Sequence, residues 1–486
     1  MLKRLLSILL AGFLALGAVL LIRVLAFRSR QVTVQPTTVT VDVTAAAERL
    51  AGALRFRTIS YQDTAAFDLG EFAALHRYLE SAFPRVHRTL LREAVGEASL
   101  LYTWRGSDTS LAPIVLMAHQ DVVPVEPGTE DRWSHPPFGG AIAGGYVWGR
   151  GAIDDKSNLA AQLEAVELLL ARGYEPRRTV LLAYGHDEEV GGLYGAARIV
   201  ELLQARGVRP AFVVDEGGAV AEGMIPGLAA PVAAVGIAEK GYLSLELSVR
   251  TAGGHSSMPP PHTAIGILAR ALERLERRQM PRGLRPVTEA MFDYLGPELP
   301  FASRLAVANR WLFEPLILRQ FGSTAIGNAM LRTTMAPTIF QAGVKENVLP
   351  SSASAVINFR ILPGDSIRHV LEHVRRTVDD PRIEIRMLRF RSEPSPTSSV
   401  DSESFRLIAR SIRQVVPDAV VVPWLVVGGT DSRHFTGLAG EVYRVSLARA
   451  GPGDLSRIHG TDERIGIENY GEMVRFYVQL LQQAAM

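Results

Sequence analysis

The sequence predicts an α/β protein with a mostly parallel sheet covered by helices on both faces and an inserted ferredoxin-like α+β lid domain. Three observations carry this prediction. In the first half, near-continuous apolar strands alternate with helical segments, as parallel strands buried on both faces require. From residue 241 the strands become half-exposed and run in the order β-α-β-β-α-β, the split unit of ferredoxin-like domains. After a Ser/Pro-rich stretch (SEPSPTSSV), helix and strand segments resume and are expected to rejoin the first sheet.

Taken in order, the chain opens with Lys3 and Arg4 before the unbroken apolar run LLSILLAGFLALGAVLLI, followed by Arg23, Arg28 and Arg30. That run is long enough to cross a bilayer. Residues 1–30 therefore read as a transmembrane signal-anchor, with the remainder outside the cytoplasm, or secreted if the segment is cleaved. Basic residues on both flanks leave the orientation undecided by charge. Residues 31–45 are polar and rich in Thr and Val, and read as a linker. The main domain is expected over 46–238, with strands at 113–118, 178–184 and 211–214. Helices are expected at 157–172, closed by Gly173 as a left-handed stop, and at 192–206.

The lid is expected over 239–392. Its first strand, YLSLELSVR, places Leu243, Leu245, Leu247 and Val249 on one face and polar groups on the other. Helices at 263–278 and 366–378 alternate with strands at 338–344, 353–361 and 382–389, interrupted by a Pro-bearing insertion near 279–335. Residues 393–486 complete the main domain.

Composition narrows the chemistry. A net charge of +2 gives no global attraction to nucleic acid. The absence of cysteine removes disulfides, thiolate ligands and a Cys nucleophile, leaving His, Asp and Glu as metal ligands. These residues fall where such a site belongs, since open α/β sheets bind ligands at the carboxyl ends of their strands. One strand ends in His119 and Asp121, the next in His186-Asp187-Glu188-Glu189, the third in Asp215-Glu216. A Gly-rich loop delivers Asp154, and His459 follows a late strand. Acidic loops that merely favour solubility would not gather at three successive strand ends.

Paired metal ions about 3.5–4 Å apart need a bridging carboxylate and further ligands on each side. This set supplies them and leaves Glu188 and Asp121 over. A carboxylate that does not ligate is free to act as general base, and Asp121, two residues from His119, is placed to orient the imidazole. The string His369-Val-Leu-Glu-His373 resembles an inverted zincin motif but sits on a basic helix and reads as a solvated face. His135 and His262, flanked by prolines, read as structural. His434 reads equally as support or substrate contact.

Together HQDVVPV, WGRGAIDDK, GHDEEVGG, Asp215, GGHSSMP, NFR, GGTDSRHF and HGTDER resemble the di-zinc metallopeptidase family of carboxypeptidase S, the aminoacylases and related dipeptidases. The resemblance covers about residues 50–486 in order. The leading apolar segment and the insertion bring it nearest to the carboxypeptidase S and N-fatty-acyl-amino-acid synthase/hydrolase branch.

The resemblance implies two zinc ions, one held by His119, Asp154 and Asp215, the other by Asp154, Glu189 and His459. It implies Glu188 as general base and proton shuttle, and Asp121 as the residue orienting His119. His255 would stabilise the oxyanion, reaching across from a partner in members whose lids form a homodimer. Asn347, Arg360, Gly429 and Thr430 would hold the substrate carboxylate, Arg360 with a guanidinium suited to bidentate pairing. The expected activity is hydrolysis of an amide bond next to a free carboxylate, as a metallocarboxypeptidase on short peptides. The alternative substrate is an N-acyl, including N-fatty-acyl, amino acid, hydrolysed or condensed by the same chemistry. A silent membrane-tethered binding protein is the competing class, disfavoured because every ligand and Glu188 are present.

Overall fold

The computed structural model describes residues 1–63 and 66–486. Its large sheet has ten strands. In spatial order they are Leu91–Val95, Ser99–Trp104, Val180–Gly185, Ile114–His119, Phe212–Asp215, Val442–Arg444, Val232–Glu239, Val220–Ala221 and Arg449–Ala450, with Val420–Val426 also paired to Val232–Glu239. The strand Ile114–His119 lies parallel to both its neighbours, Val180–Gly185 and Phe212–Asp215, and Val442–Arg444 continues the parallel series. Antiparallel pairing is confined to the Leu91 edge and to the far side beyond Val442–Arg444.

Every residue of Ile114–His119 and Val180–Gly185 is buried, because helices cover both faces. Leu116, Ala118, Leu182 and Tyr184 join the core that holds the helices Lys156–Ala171 and Ile467–Ala484. Val115, Met117, Leu181 and Ala183 face the helix Ala196–Ala205 instead. This is the two-residue period of a strand read on both sides. Since the central strands run parallel, His119, Gly185 and Asp215 end them at one edge of the sheet.

The lid is a four-stranded antiparallel sheet in the order Thr334–Ala342, Ser352–Ile361, Gly241–Arg250, Ile383–Ser392. Its apolar stripe, Leu243, Leu245, Leu247 and Val249, packs with Ile357, Phe359, Val370 and Val374 from the neighbouring strand and helix. The expected β-α-β-β-α-β order is observed.

Three local expectations change. The helix expected from 192 begins at Ala196, because Gly192 N–H donates back to Asp187 O at 2.8 Å and Gly195 passes against Asp187 and Ser99 with no space for a side chain. The linker ends early, in a helix Val43–Ala53 capped by Asp42, which accepts from Ala45 N–H at 3.0 Å. The insertion forms the helices Pro286–Leu295, Phe301–Ala308, Arg310–Phe321 and Ala325–Leu331. Its Val287, Met291, Phe292, Val307 and Met330 pack in the large sheet's core and not in the lid's. The N-terminal helix Leu2–Ala26 is long and apolar enough to cross a membrane, and Val24 is its one buried residue.

Candidate metal centre

Asp154 sits between two imidazoles. Its Oδ1 lies 2.9 Å from His119 Nε2 and its Oδ2 lies 3.1 Å from His459 Nε2. Glu189 Oε2 stands 3.3 Å from the same nitrogen of His459. Two triads result whose ligand atoms all fall within 4.8 Å of one another: His119, Asp154 and Glu216, and Asp154, Glu189 and His459. Asp154 belongs to both.

Each member is placed by local structure. His119 ends a buried strand, and its Nδ1 is 3.0 Å from Asp121 O and 3.3 Å from Asp121 Oδ1, which turns Nε2 toward Asp154. Asp121 also accepts the backbone N–H groups of Glu188 and Glu189 at 3.2 and 3.1 Å and the Ser60 hydroxyl. It thus orients the first imidazole and pins the turn bearing the two glutamates. The peptide between Asp154 and Asp155 is cis. Glu463, fully buried, receives N–H groups from Gly151, Ile153 and Asp154 at 3.1, 2.8 and 3.1 Å and pairs with Arg150 at 2.6 Å. Arg150 then donates to His459 O at 3.0 Å. One carboxylate therefore holds the Asp154 loop against the segment that carries His459.

The expected ligand Asp215 is not in either triad. It ends its strand turned toward the loop after Val426, where its side chain accepts N–H from Ser432 at 2.8 Å and from Glu216 at 2.9 Å. Glu216, the next residue, lies within ligand distance of His119 and Asp154. The remaining expectations divide. Arg360 lies over the Tyr242 ring at 4.7 Å. Gly429 leaves room for the Arg433 guanidinium, 2.8 Å from where a Cβ would stand. Thr430 is buried, with its N–H and hydroxyl both donated to Glu239, and so fixes the loop from behind. His255 and Asn347 sit together on an exposed ladder of the lid, Ser256 N–H donating to Asn347 O and Ser257 donating to His255 Nδ1. Among the described residues neither bonds to the carboxylate cluster. His373 Nε2 donates to Arg278 O in the lid and belongs to neither metal grouping, and His434 Nε2 donates to Gly191 O at 3.0 Å.

Arg433 had no role in the sequence reading. Its guanidinium is 3.9 Å from Glu188 and faces the Phe390 ring at 5.7 Å, and its Nε is buried without a partner. Burial lowers the pKa of Arg360, and Arg433 lowers it further. The Arg433 guanidinium thus stands beside Glu188, with the field of Arg360 felt there as well. The signal was present in GGTDSRHF, where a cation follows the loop glycines.

The donor set fits divalent cations. Burial pushes the carboxyls of Glu188, Glu189 and Glu216 above their ordinary range, and their acidic neighbours push them further. Glu189 Oε1 is buried with no hydrogen-bond partner. Hydrogen bonds that His459 donates to Asp154 and Glu189 hold it up to about 10, and bonds donated to Asp121 and Asp154 overcome burial to raise His119. The cluster is short of positive charge, and imidazole plus carboxylate without thiolate suits zinc, cobalt or manganese.

The Glu463 clamp yields a direct prediction. Glu463→Ala strands a buried Arg150 and is expected to cost about 3–5 kcal/mol, seen as a lowered thermal midpoint. The double variant Arg150→Met/Glu463→Leu, which removes both charges but leaves the three loop N–H groups without their acceptor, is expected to recover only the part of the loss due to the stranded charge. Equal loss in both would show that the pairing is not what holds the loop.

Comparison with known proteins gives the family and the fold. The chain is 43% identical over 440 residues to probable carboxypeptidase S-like 2 of Dictyostelium discoideum, covering 90% of this chain and 84% of the relative. It is 42% identical over 443 residues to the N-fatty-acyl-amino acid synthase/hydrolase PM20D1 of Homo sapiens, covering 90% and 87%. The fold is also that of the M20 family metallo-carboxypeptidase Sso-CP2 from Sulfolobus solfataricus, with a TM-score of 0.64 at 20% identity over 91% of this chain and 99% of that one. Residues 115–483 match the description "Peptidase family M20/M25/M40", and the chain belongs to that family of hydrolytic enzymes.

Proposed function

We propose that the protein is a di-zinc hydrolase of amide bonds adjacent to a free carboxylate, acting on short peptides from the carboxyl end. The observation that carries this reading is Asp154, whose two oxygens each face one imidazole while Glu188 stays unligated beside the Arg433 guanidinium. His119, Asp154 and Glu216 would hold one cation, and Asp154, Glu189 and His459 the other. Bound there, the cations would supply Lewis-acid polarisation of the scissile carbonyl and make water at the site more acidic.

The chain's own groups do the rest. Glu188 takes a proton from the attacking water on its carboxylate and returns it to the leaving amine nitrogen. Arg360 and Arg433 receive the substrate carboxylate, which relieves the repulsion between two neighbouring cations. Their distance from the cluster fixes which amide reaches Glu188. His255 and Asn347, exposed on the lid, would meet the substrate only when the lid closes or when a second copy of the chain presents its own lid. The helix Leu2–Ala26 serves as a signal-anchor that keeps the catalytic part at an extracytoplasmic membrane face.

The second substrate reading, an N-acyl or N-fatty-acyl amino acid, is favoured by the names of relatives that match as well as the carboxypeptidase-like ones do. Turnover of a dipeptide panel against N-oleoyl-phenylalanine separates the two. Glu188→Gln is expected to lower kcat by about 10²–10⁴-fold without loss of bound metal. Full activity in that variant would remove Glu188 from the mechanism. Arg433→Ala is expected to raise KM by about 10–100-fold for a substrate with a free carboxylate and to leave an amidated analogue unaffected. Equal losses on both would show that Arg433 does not read the carboxylate.

A further inference from the structure

The N-terminal helix is not a loose tether. Its last turns are bound to the insertion: Arg23 Nε donates to Ala308 O at 3.1 Å, and Asn309 Nδ2 donates to Leu20 O at 3.1 Å. Arg304 donates to the carbonyls of Val24 and Phe27 at 3.3 and 2.7 Å, which are among those left free at a helix end. The Phe27 ring covers Gly296 next to Val307. These contacts fix the height of the insertion along the helix. Leu20, level with Asn309, lies two residues inside the apolar run that ends at Ile22, roughly 3 Å along the helix axis. The corner between the helices Phe301–Ala308 and Arg310–Phe321 is therefore held at the end of the apolar run, not above it.

That corner is apolar on its outside. Trp311 is 57% exposed, Leu312 40% and Leu316, one helical turn on, 52%, with Arg310 before and Arg319 after them, and Phe301, which begins the first helix, is 62% exposed. A cluster of large apolar side chains at one place on a soluble surface marks an interaction site. A Trp beside Arg at the end of an apolar span is the composition of the boundary between acyl chains and headgroups.

We propose that residues 301–321 form a foot that enters the interfacial layer of the same bilayer the N-terminal helix crosses. The occupant of this surface is phospholipid. The foot holds the catalytic part at one height and orientation, where a tether alone would let it swing. The proposal rests on the signal-anchor reading, and the test separates the two.

The chain has no cysteine, so single-cysteine variants of the full chain can each carry one bimane label. Trp311→Cys and Leu316→Cys report the foot, Leu10→Cys the anchor, and Leu91→Cys, on the opposite edge of the large sheet, the solvent. After reconstitution into phosphatidylcholine vesicles, labels at 10, 311 and 316 are expected to shift to the blue and to be quenched by brominated lipid, and the label at 91 is not. Quenching at 10 with solvent-like labels at 311 and 316 overturns the foot and leaves the anchor standing. A solvent-like label at 10 removes the anchor and the proposal together. A blue shift at 316 that ignores brominated lipid and grows with protein density assigns the patch to a second copy, and also overturns it.

Discussion

The structure depends on closing the chain from residue 463 back onto residue 154. A cluster of carboxylates repels itself, and a flexible loop bearing Asp154 would swing away from Glu188, Glu189 and Glu216. Glu463 prevents this by collecting three backbone N–H groups of that loop and one guanidinium in a site with no solvent exposure. A buried carboxylate so well provided with donors is rigid, since giving up any partner leaves a charge unsolvated. The same Arg150 reaches His459 O. Both triads then share one reference point, and both depend on the last strands rejoining the first sheet.

Electrostatics explains why the neighbouring groups are arranged as they are. Asp121 satisfies its charge with two backbone N–H groups, the Ser60 hydroxyl and the His119 ring. Asp215 satisfies its own with N–H groups of Ser432 and Glu216. Glu188, Glu189 and Glu216 have no comparable supply, and burial holds their carboxyls above the ordinary range. Burial raises Asp215 as well, its two N–H donors only opposing the shift, so among these acids Asp121 alone is held below the ordinary range. Arg360 and Arg433 add the complementary problem, Arg433 lowering the pKa of Arg360, which the proposed substrate carboxylate would relieve.

Much of this was legible in the sequence because the informative residues sit at ends of strongly patterned strands. His119, Asp154, Glu188, Glu189 and His459 could be placed at one sheet edge from alternation and order alone, and the lid followed from a change in burial period. What could not be read depended on distant packing. Asp215 accepts an N–H from Ser432, over two hundred residues away, and Glu216 stands in the His119–Asp154 group, neither of which spacing in the sequence indicates. Glu463 looks in sequence like one more acid in HGTDER, and only its burial against the Asp154 loop gives it a role. The insertion's proline-rich texture hid four helices whose apolar faces belong to the large core. The bonds from Thr430 to Glu239, nearly two hundred residues away, are likewise invisible in the sequence.

The central claim is that Asp154 serves two cations at once. Metal content measured by mass spectrometry on the zinc-loaded full chain and on Asp154→Ala tests it most directly. Two tightly held zinc ions in the unaltered chain, one for each triad that could hold an ion, and none in the variant is the predicted result. A variant that still retains either ion would contradict a shared ligand and with it this account of the site.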